Sequence, residues 1–227
     1  MMTRFVPFAL LALAAAAPAM LSAAPAPKWT AQVAFSPVGG HVMGNPAAPT
    51  KLVEYVSYTC SHCAHFVAES AGPLRTGYVS TGKVSVEVRN AVRDKYDLTA
   101  ALIARCGGKA RFMGNHEAIF ANQDAWMPKI IAYDGDSAAK PTDQVAAMRD
   151  IGQKTGLYAL MAKRGFTPKQ LDACVADPAA LKQVLAMTNH AWRELKISGT
   201  PAFTVNDKMV GGPTWDAVRA ALPAAAN

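Results

Sequence analysis

The sequence predicts an α/β fold: a central mixed sheet flanked by helices, with an all-helical subdomain inserted into it. Three observations point there. Between residues 51 and 89 a strand pattern, a helical pattern and an alternating strand follow one another, which makes a βαβ unit. From about Asp97 the apolar spacing turns helical and stays so for most of the second half. The chain then returns to two short β segments and one last helix.

Composition narrows the class. With 51% hydrophobic and 17% charged residues, intrinsic disorder is excluded. With 16 Gly and 15 Pro among 227 residues, a collagen-like or low-complexity chain is excluded too. That length can bury one full core and carry an inserted subdomain. Only the extreme N-terminus is apolar enough to approach a membrane span, so a multi-pass membrane protein is excluded.

The first element is an address. Arg4 precedes an apolar run from Phe5, and the small-residue sequences Ala17-Pro18-Ala19 and Leu21-Ser22-Ala23 follow. This is the layout of a secretory signal, expected over residues 1–23. An uncleaved anchor is the competing reading, and Pro7 and Pro18 count against it. Either reading places the rest of the chain outside the cytoplasm, where disulfides persist. The net charge is +7, but Lys and Arg are scattered and form no stripe, so no nucleic-acid partner is expected.

Residues 24–96 are expected to form the first part of the sheet domain. The stretch up to residue 50 reads as a loose lead-in with one edge strand near Val33 and Phe35. Lys51 to Tyr58 is nearly continuous in apolar, β-branched and aromatic residues, as in a strand buried on both faces. Thr59-Cys60-Ser61-His62-Cys63 follows directly. Phe66, Val67, Leu74 and Tyr78 then recur at helical spacing, with a kink expected at Gly72-Pro73. Lys83 to Arg89 alternates as a strand does.

Residues 97–190 are expected to be the helical insertion. Leu98, Leu102 and Cys106 share one face; Phe112, His116 and Phe120 share another. Leu171, Cys174 and Val175 follow, and Leu181, Leu185, Thr188, Trp192 and Leu195 mark a longer amphipathic helix. Residues 191–227 complete the sheet domain. Ala202 to Val205 and Lys208 to Val210 flank Asn206-Asp207 as a hairpin, and Trp215, Val218 and Leu222 give a closing helix.

The chemistry lies at Cys60 and Cys63. Two residues between cysteines at a helix start put the first thiol at the positive helix end, where its thiolate is stabilised. The second lies one turn in, close enough to close a short disulfide or to resolve a mixed one. His62 between them adds a donor beside the thiolate. A stabilised thiolate is a stabilised reduced form, so the disulfide is a strong oxidant. A metal site is not expected. Cys60, His62, Cys63 and His65 crowd within six residues, and no distant second ligand pair exists.

Glu54-Tyr55-Val56-Ser57-Tyr58-Thr59-Cys60-Ser61-His62-Cys63-Ala64-His65-Phe66, with Gly199-Thr200-Pro201-Ala202-Phe203 far downstream, resembles the DsbA-like thiol:disulfide oxidoreductases. These have a thioredoxin-like fold with an inserted helical domain. The resemblance covers most of residues 40–222. It implies that Cys60 is the attacked and attacking cysteine and that Cys63 resolves. It implies a cis peptide at Thr200-Pro201, facing the active disulfide and leaving backbone free for a substrate strand. On the residues alone, Pro201 reads as a strand-entry proline. The resemblance also implies that Glu54 helps move the Cys63 proton; an acid reaching solvent at a strand end is the other reading of Glu54.

Ser61-His62 departs from the Pro-His of strongly oxidising members, and Thr200 is more typical of isomerase-type relatives. Those relatives carry an N-terminal dimerisation domain, for which the residues before Cys60 are too few. Cys106 and Cys174 read either as buried free thiols or as a structural disulfide, and the exported setting favours the disulfide. No cofactor is expected. The partners implied are reduced, unfolded exported proteins and a membrane quinone-linked thiol oxidase, for a monomer in the periplasm. Two other readings stay open: a disulfide isomerase or reductase of the same fold, and a non-catalytic exported binding protein or holdase.

Overall fold

The computed structural model describes residues 1–2 and 28–225. The signal-like segment 1–23 lies outside the described residues apart from its first two. One six-stranded sheet organises the rest, in the order β1-β2-β4-β3-β5-β6. Its strands are β1 (Val33–Phe35), β2 (His41–Met43), β3 (Thr50–Val56), β4 (Val84–Asn90), β5 (Ala202–Val205) and β6 (Lys208–Met209). Only β3 and β4 run parallel; every other pairing is antiparallel.

The parallel pair needs a crossover, and helix α1 (Ser61–Pro73) supplies it. At Pro73, where a kink is expected, the α-helical hydrogen bonding stops, and a π-type turn, Leu74–Tyr78, carries the chain on. Strand β3 is buried along its last five residues. Its two faces serve two layers. Leu52 and Val56 pack with Cys63, Phe66 and Phe203, on the side of α1. Val53 and Tyr55 pack with Ala91, Ala191 and Ile197 on the other.

Between β4 and β5 stand seven helices: α2 (Lys95–Ala104), α3 (Lys109–Ala121), α4 (Gln123–Gly135), α5 (Gln144–Lys154), α6 (Leu157–Ala162), α7 (Pro168–Val175) and α8 (Pro178–Asn189). Their starts follow from local chemistry. Asp94, Asp143, Thr167 and Asp177 each cap a helix by accepting backbone N–H groups, and Pro168 and Pro178 occupy first positions where no N–H is needed. At Asn206 and Asp207 φ is 48 and 63, so the two-residue hairpin turn takes the left-handed conformation that matches strand twist. Asn206 also ties this turn to β3, accepting from the Lys51 N–H at 2.8 Å. Helix α9 (Trp215–Ala221) closes the chain, capped by Thr214.

Two expectations are corrected. The lead-in holds two strands rather than one; β2 is three residues long, too short to display a period, and it is placed by pairing with β4. In α8, Leu185 is 46% exposed, whereas Val184 and Met187 are buried. The sequence offers two adjacent apolar stripes there. The one chosen leaves Thr188 free to donate to Asn90 O and to accept from the Val92 N–H at 3.1 Å. The π-type turn His190–Glu194 then shifts the stripe onto Ala191.

Candidate active site

Strand β3 delivers the chain to a tight turn, in which the Cys60 N–H donates to Ser57 O at 3.1 Å. Cys60 is the N-cap of α1. Both residues are buried, and Cys60 is the less enclosed of the two, 5% exposed against 0% for Cys63. Both thiols are free.

The environment separates the two sulfurs. Cys60 is pushed down to about 4. A hydrogen bond from the Cys63 thiol is the largest cause; the Thr200 hydroxyl and the backbone N–H groups of Cys63 and His62 add to it, against the effect of burial. Cys63 is pushed far up, first by burial, then by its bond to Cys60 and the negative charge there, with Glu54 adding to it. Of His62, it is the backbone N–H that acts on Cys60, while its side chain is exposed in the groove beside α1.

Thr200-Pro201 is a cis peptide. It stands at the entry to β5, whose Ala202 pairs with Tyr55 and Phe203 with Glu54. That register brings Thr200 O to 3.0 Å from Cys60 Sγ, which donates to it as a thiol. The Thr200 hydroxyl is buried with no hydrogen-bond partner, and it is a donor open to the sulfur once ionised.

Glu54 is buried, with Oε1 unpartnered, and burial raises it to about 8. It does not reach solvent at the strand end. It shares a β3 face with Leu52 and Val56, which pack with Cys63. At neutral pH it holds a proton within electrostatic reach of the Cys63 sulfur.

Grooves border the neighbours of Cys60, namely Ser61, His62 and Thr200. One of 480 Å³ is lined by His62, His65, Phe66, Pro213 and Trp215, and one of 390 Å³ by the loop around Thr200 and Pro201. A third, of 520 Å³, lies between α1 and the helical block, against Ser61, Ala64, Phe120 and Asp124. Another cleft, of 540 Å³, lies elsewhere, between the β1–β2 turn and α8. Among the described residues no cluster of three His, Cys, Asp or Glu side chains could hold a metal ion. Cys106, just past α2, is bonded to Cys174 of α7, with Cα atoms 5.6 Å apart.

Sequence reasoning missed four residues that grip the Cys60 turn. The Tyr58 N–H donates to Asp97 Oδ1 at 2.7 Å, and Thr59 Oγ1 donates to Asp94 Oδ2 at 3.0 Å. Arg93 donates through Nε to Ser57 Oγ at 2.9 Å and through a terminal nitrogen to Thr59 Oγ1 at 3.0 Å. From α4, Gln123 Nε2 donates to Tyr58 O at 2.8 Å and Cys60 O at 3.1 Å. The Asp94-x-x-Asp97 spacing at a helix start is a local capping signal; nothing local marks Gln123.

A thioredoxin family model matches residues 36–224. A protein of Rickettsia bellii, named as an inferred protein-disulfide oxidoreductase, is 30% identical over 80% of this chain and 62% of its own length. A Rickettsia felis protein of the same name is 31% identical over 80% of this chain and 58% of its own. The chain thus spans about three-fifths of the length of these curated relatives. A crystal structure of a protein-disulfide isomerase from Novosphingobium aromaticivorans superposes with a TM-score of 0.73 at 36% identity, covering 80% of this chain and 94% of that one. The α-DsbA1 of Wolbachia pipientis shares the fold, with a TM-score of 0.63 at 21% identity over 79% and 86% of the two chains.

Proposed function

The chain belongs to the thioredoxin family and to its DsbA-like thiol:disulfide oxidoreductases, and from that premise we propose that it passes a disulfide from Cys60–Cys63 to cysteines of exported proteins. The observation that carries the reading is the asymmetry of the pair: Cys60, at the start of α1, is held down to about 4 beside a fully enclosed Cys63 that is pushed up.

In the oxidised protein, a substrate thiolate attacks Cys60 Sγ and the S–S bond to Cys63 breaks. Cys63 leaves with the electron pair and takes a proton, for which Glu54 is the nearby source. A second substrate thiolate then attacks the substrate sulfur of the mixed disulfide. Cys60 departs as a thiolate, the better leaving group for its low pKa. Two substrate thiols are oxidised and the Cys60–Cys63 disulfide is reduced to a Cys60 thiolate and a Cys63 thiol. Thr200 and the cis Pro201 border the groove where substrate backbone would pair. Ser61 and His62, at the start of α1, tune the poise.

The N-terminal signal pattern supports export to the periplasm, with reduced, unfolded proteins as substrates and a membrane quinone-linked thiol oxidase restoring the disulfide to a monomer. The test is disulfide transfer to a reduced protein. Cys60→Ser abolishes transfer, and Cys63→Ala accumulates the mixed disulfide. Full activity in Cys60→Ser ends this reading.

Thr200 and the 36% identity to a protein named as an isomerase favour a second reading, in which the pair works as an isomerase or reductase. Equilibration with glutathione buffers separates the two. A potential of about −120 to −180 mV supports donation, and about −270 mV supports a reductase. A DsbA itself sets the oxidising end of that scale.

A further inference from the structure

We propose that Asp97 and Gln123 are positioning residues for disulfide exchange: from two helices they grip the turn Ser57–Cys60 and hold the first turn of α1 where its backbone N–H groups meet the Cys60 sulfur. The inference rests on the reading of Cys60 as the reacting thiol.

Neither side chain is needed by its own helix. Asp94 already caps α2, accepting the Asp97 N–H at 2.8 Å. The two Asp97 oxygens go instead to backbone outside α2: Oδ1 accepts from Tyr58 N–H and Oδ2 from Arg93 N–H at 3.0 Å. Gln123 is the first residue of α4, buried, and its amide N–H groups go to Tyr58 O and Cys60 O. Tyr58 is thus held at its N–H by one helix and at its carbonyl by another. Ser57 and Thr59 on either side are held by Arg93.

The grip is placed where it matters for the sulfur. Cys60 is stabilised as thiolate partly by the backbone N–H groups of His62 and Cys63. Such bonds weaken steeply with angle, so a small tilt of the turn against α1 is felt as acidity. Cys60 O, one of the atoms that Gln123 holds, also accepts the Ala64 N–H at 3.3 Å and so belongs to the first turn of α1. Asp97 does not act by its charge: burial raises its carboxyl to about 7, so it is already neutral where Cys60 titrates, near 4. A charge effect therefore predicts no shift of the Cys60 midpoint in Asp97→Asn, whereas loss of position predicts a rise.

The test measures Cys60 ionisation by the pH dependence of iodoacetamide alkylation in the full chain, its Asp97→Asn variant and its Gln123→Leu variant. Glutathione equilibrium and thermal unfolding are measured alongside. In each variant the Cys60 midpoint is expected to rise by about one pH unit, a tenfold weaker acid. The reduction potential then falls by about 30 mV, since a tenfold change in that equilibrium is worth as much. An unchanged midpoint in both variants, however much unfolding shifts, overturns the proposal and leaves a structural role. A midpoint that falls in Asp97→Asn overturns it as well. If Asp97→Asn does not fold, Gln123→Leu decides alone. The parent chain's own midpoint judges the underlying reading separately: an ordinary thiol midpoint there removes the reactive thiolate, while the shift between variants still judges the grip.

Discussion

Cys60 Sγ lies 3.0 Å from the carbonyl oxygen of Thr200, a residue 140 positions further along the chain. One sulfur is thereby answered by two distant pieces of sequence. The helix start supplies N–H groups, and the strand-entry loop supplies an acceptor for the thiol and a hydroxyl for the thiolate.

The hydrogen bond from Cys63 is the largest cause of the Cys60 acidity. Cys63→Ala removes that donor, whereas Cys63→Ser keeps one. The midpoint for alkylation of Cys60 is expected above about 4 in the alanine variant, by about one pH unit, and near the parent value in the serine variant. Identical midpoints in both would assign the acidity to the helix start alone.

Glu54 is raised from 4.5 to about 8 by burial. The folded state then holds a proton that the unfolded chain has lost. The associated stability is fully present below about pH 4.5 and disappears as pH rises through about 8. Glu54→Gln removes this loss. Relative to the variant, the parent is expected to weaken between pH 5 and 8 by about 1.4 kcal/mol per unit, read from urea unfolding. Parallel pH profiles would refute the burial.

His41 lies flat on Phe112, with ring centroids 3.5 Å apart and both ring nitrogens unpartnered. Its pKa is lowered from 6.5 to about 2, first by burial and then by Arg105 and His116. A lowered base contributes stability that is present above its unfolded value and lost as pH falls through the folded one. His41→Phe keeps the stack and removes the two buried nitrogens. It is expected to be more stable than the parent, with the difference widening from pH 7 to pH 5. A thermal midpoint that drops at both pH values would show that the imidazole is needed.

The Cys106–Cys174 bond closes a loop of 68 residues across the helical block. On the chain-entropy account it stabilises by about 4 kcal/mol. Cys106→Ala with Cys174→Ala should cost about that in unfolding free energy while leaving the Cys60 alkylation midpoint in place. A moved midpoint would mean that this bond also shapes the redox site.

Much of this was legible because it is local. A β-branched run ending in Cys-Ser-His-Cys gives a strand, a turn and a helix start within fifteen residues. Asn206-Asp207 declares its hairpin. What escaped is decided between elements. Strand β2 exists because β4 offers it an edge. Leu185 faces out because Val184 and Met187 fit the neighbouring layer better. Gln123 touches the Cys60 turn across 63 residues, with no pattern along the chain to announce it. Glu54 is interior because β3 is a central strand, paired by β4 on one edge and by the distant β5 on the other.

The late arrival of β5 sets a timetable for the thiol. Chains grow from the N-terminus at about 5–20 residues per second, so Cys60 is made roughly 10 s before Thr200 exists. During that interval the nascent chain carries the reactive dipeptide frame without the residue that answers its sulfur. The acidity of Cys60 is therefore completed by the last strand pair to be synthesised, and a chain still being made is spared the full exchange chemistry of the finished one.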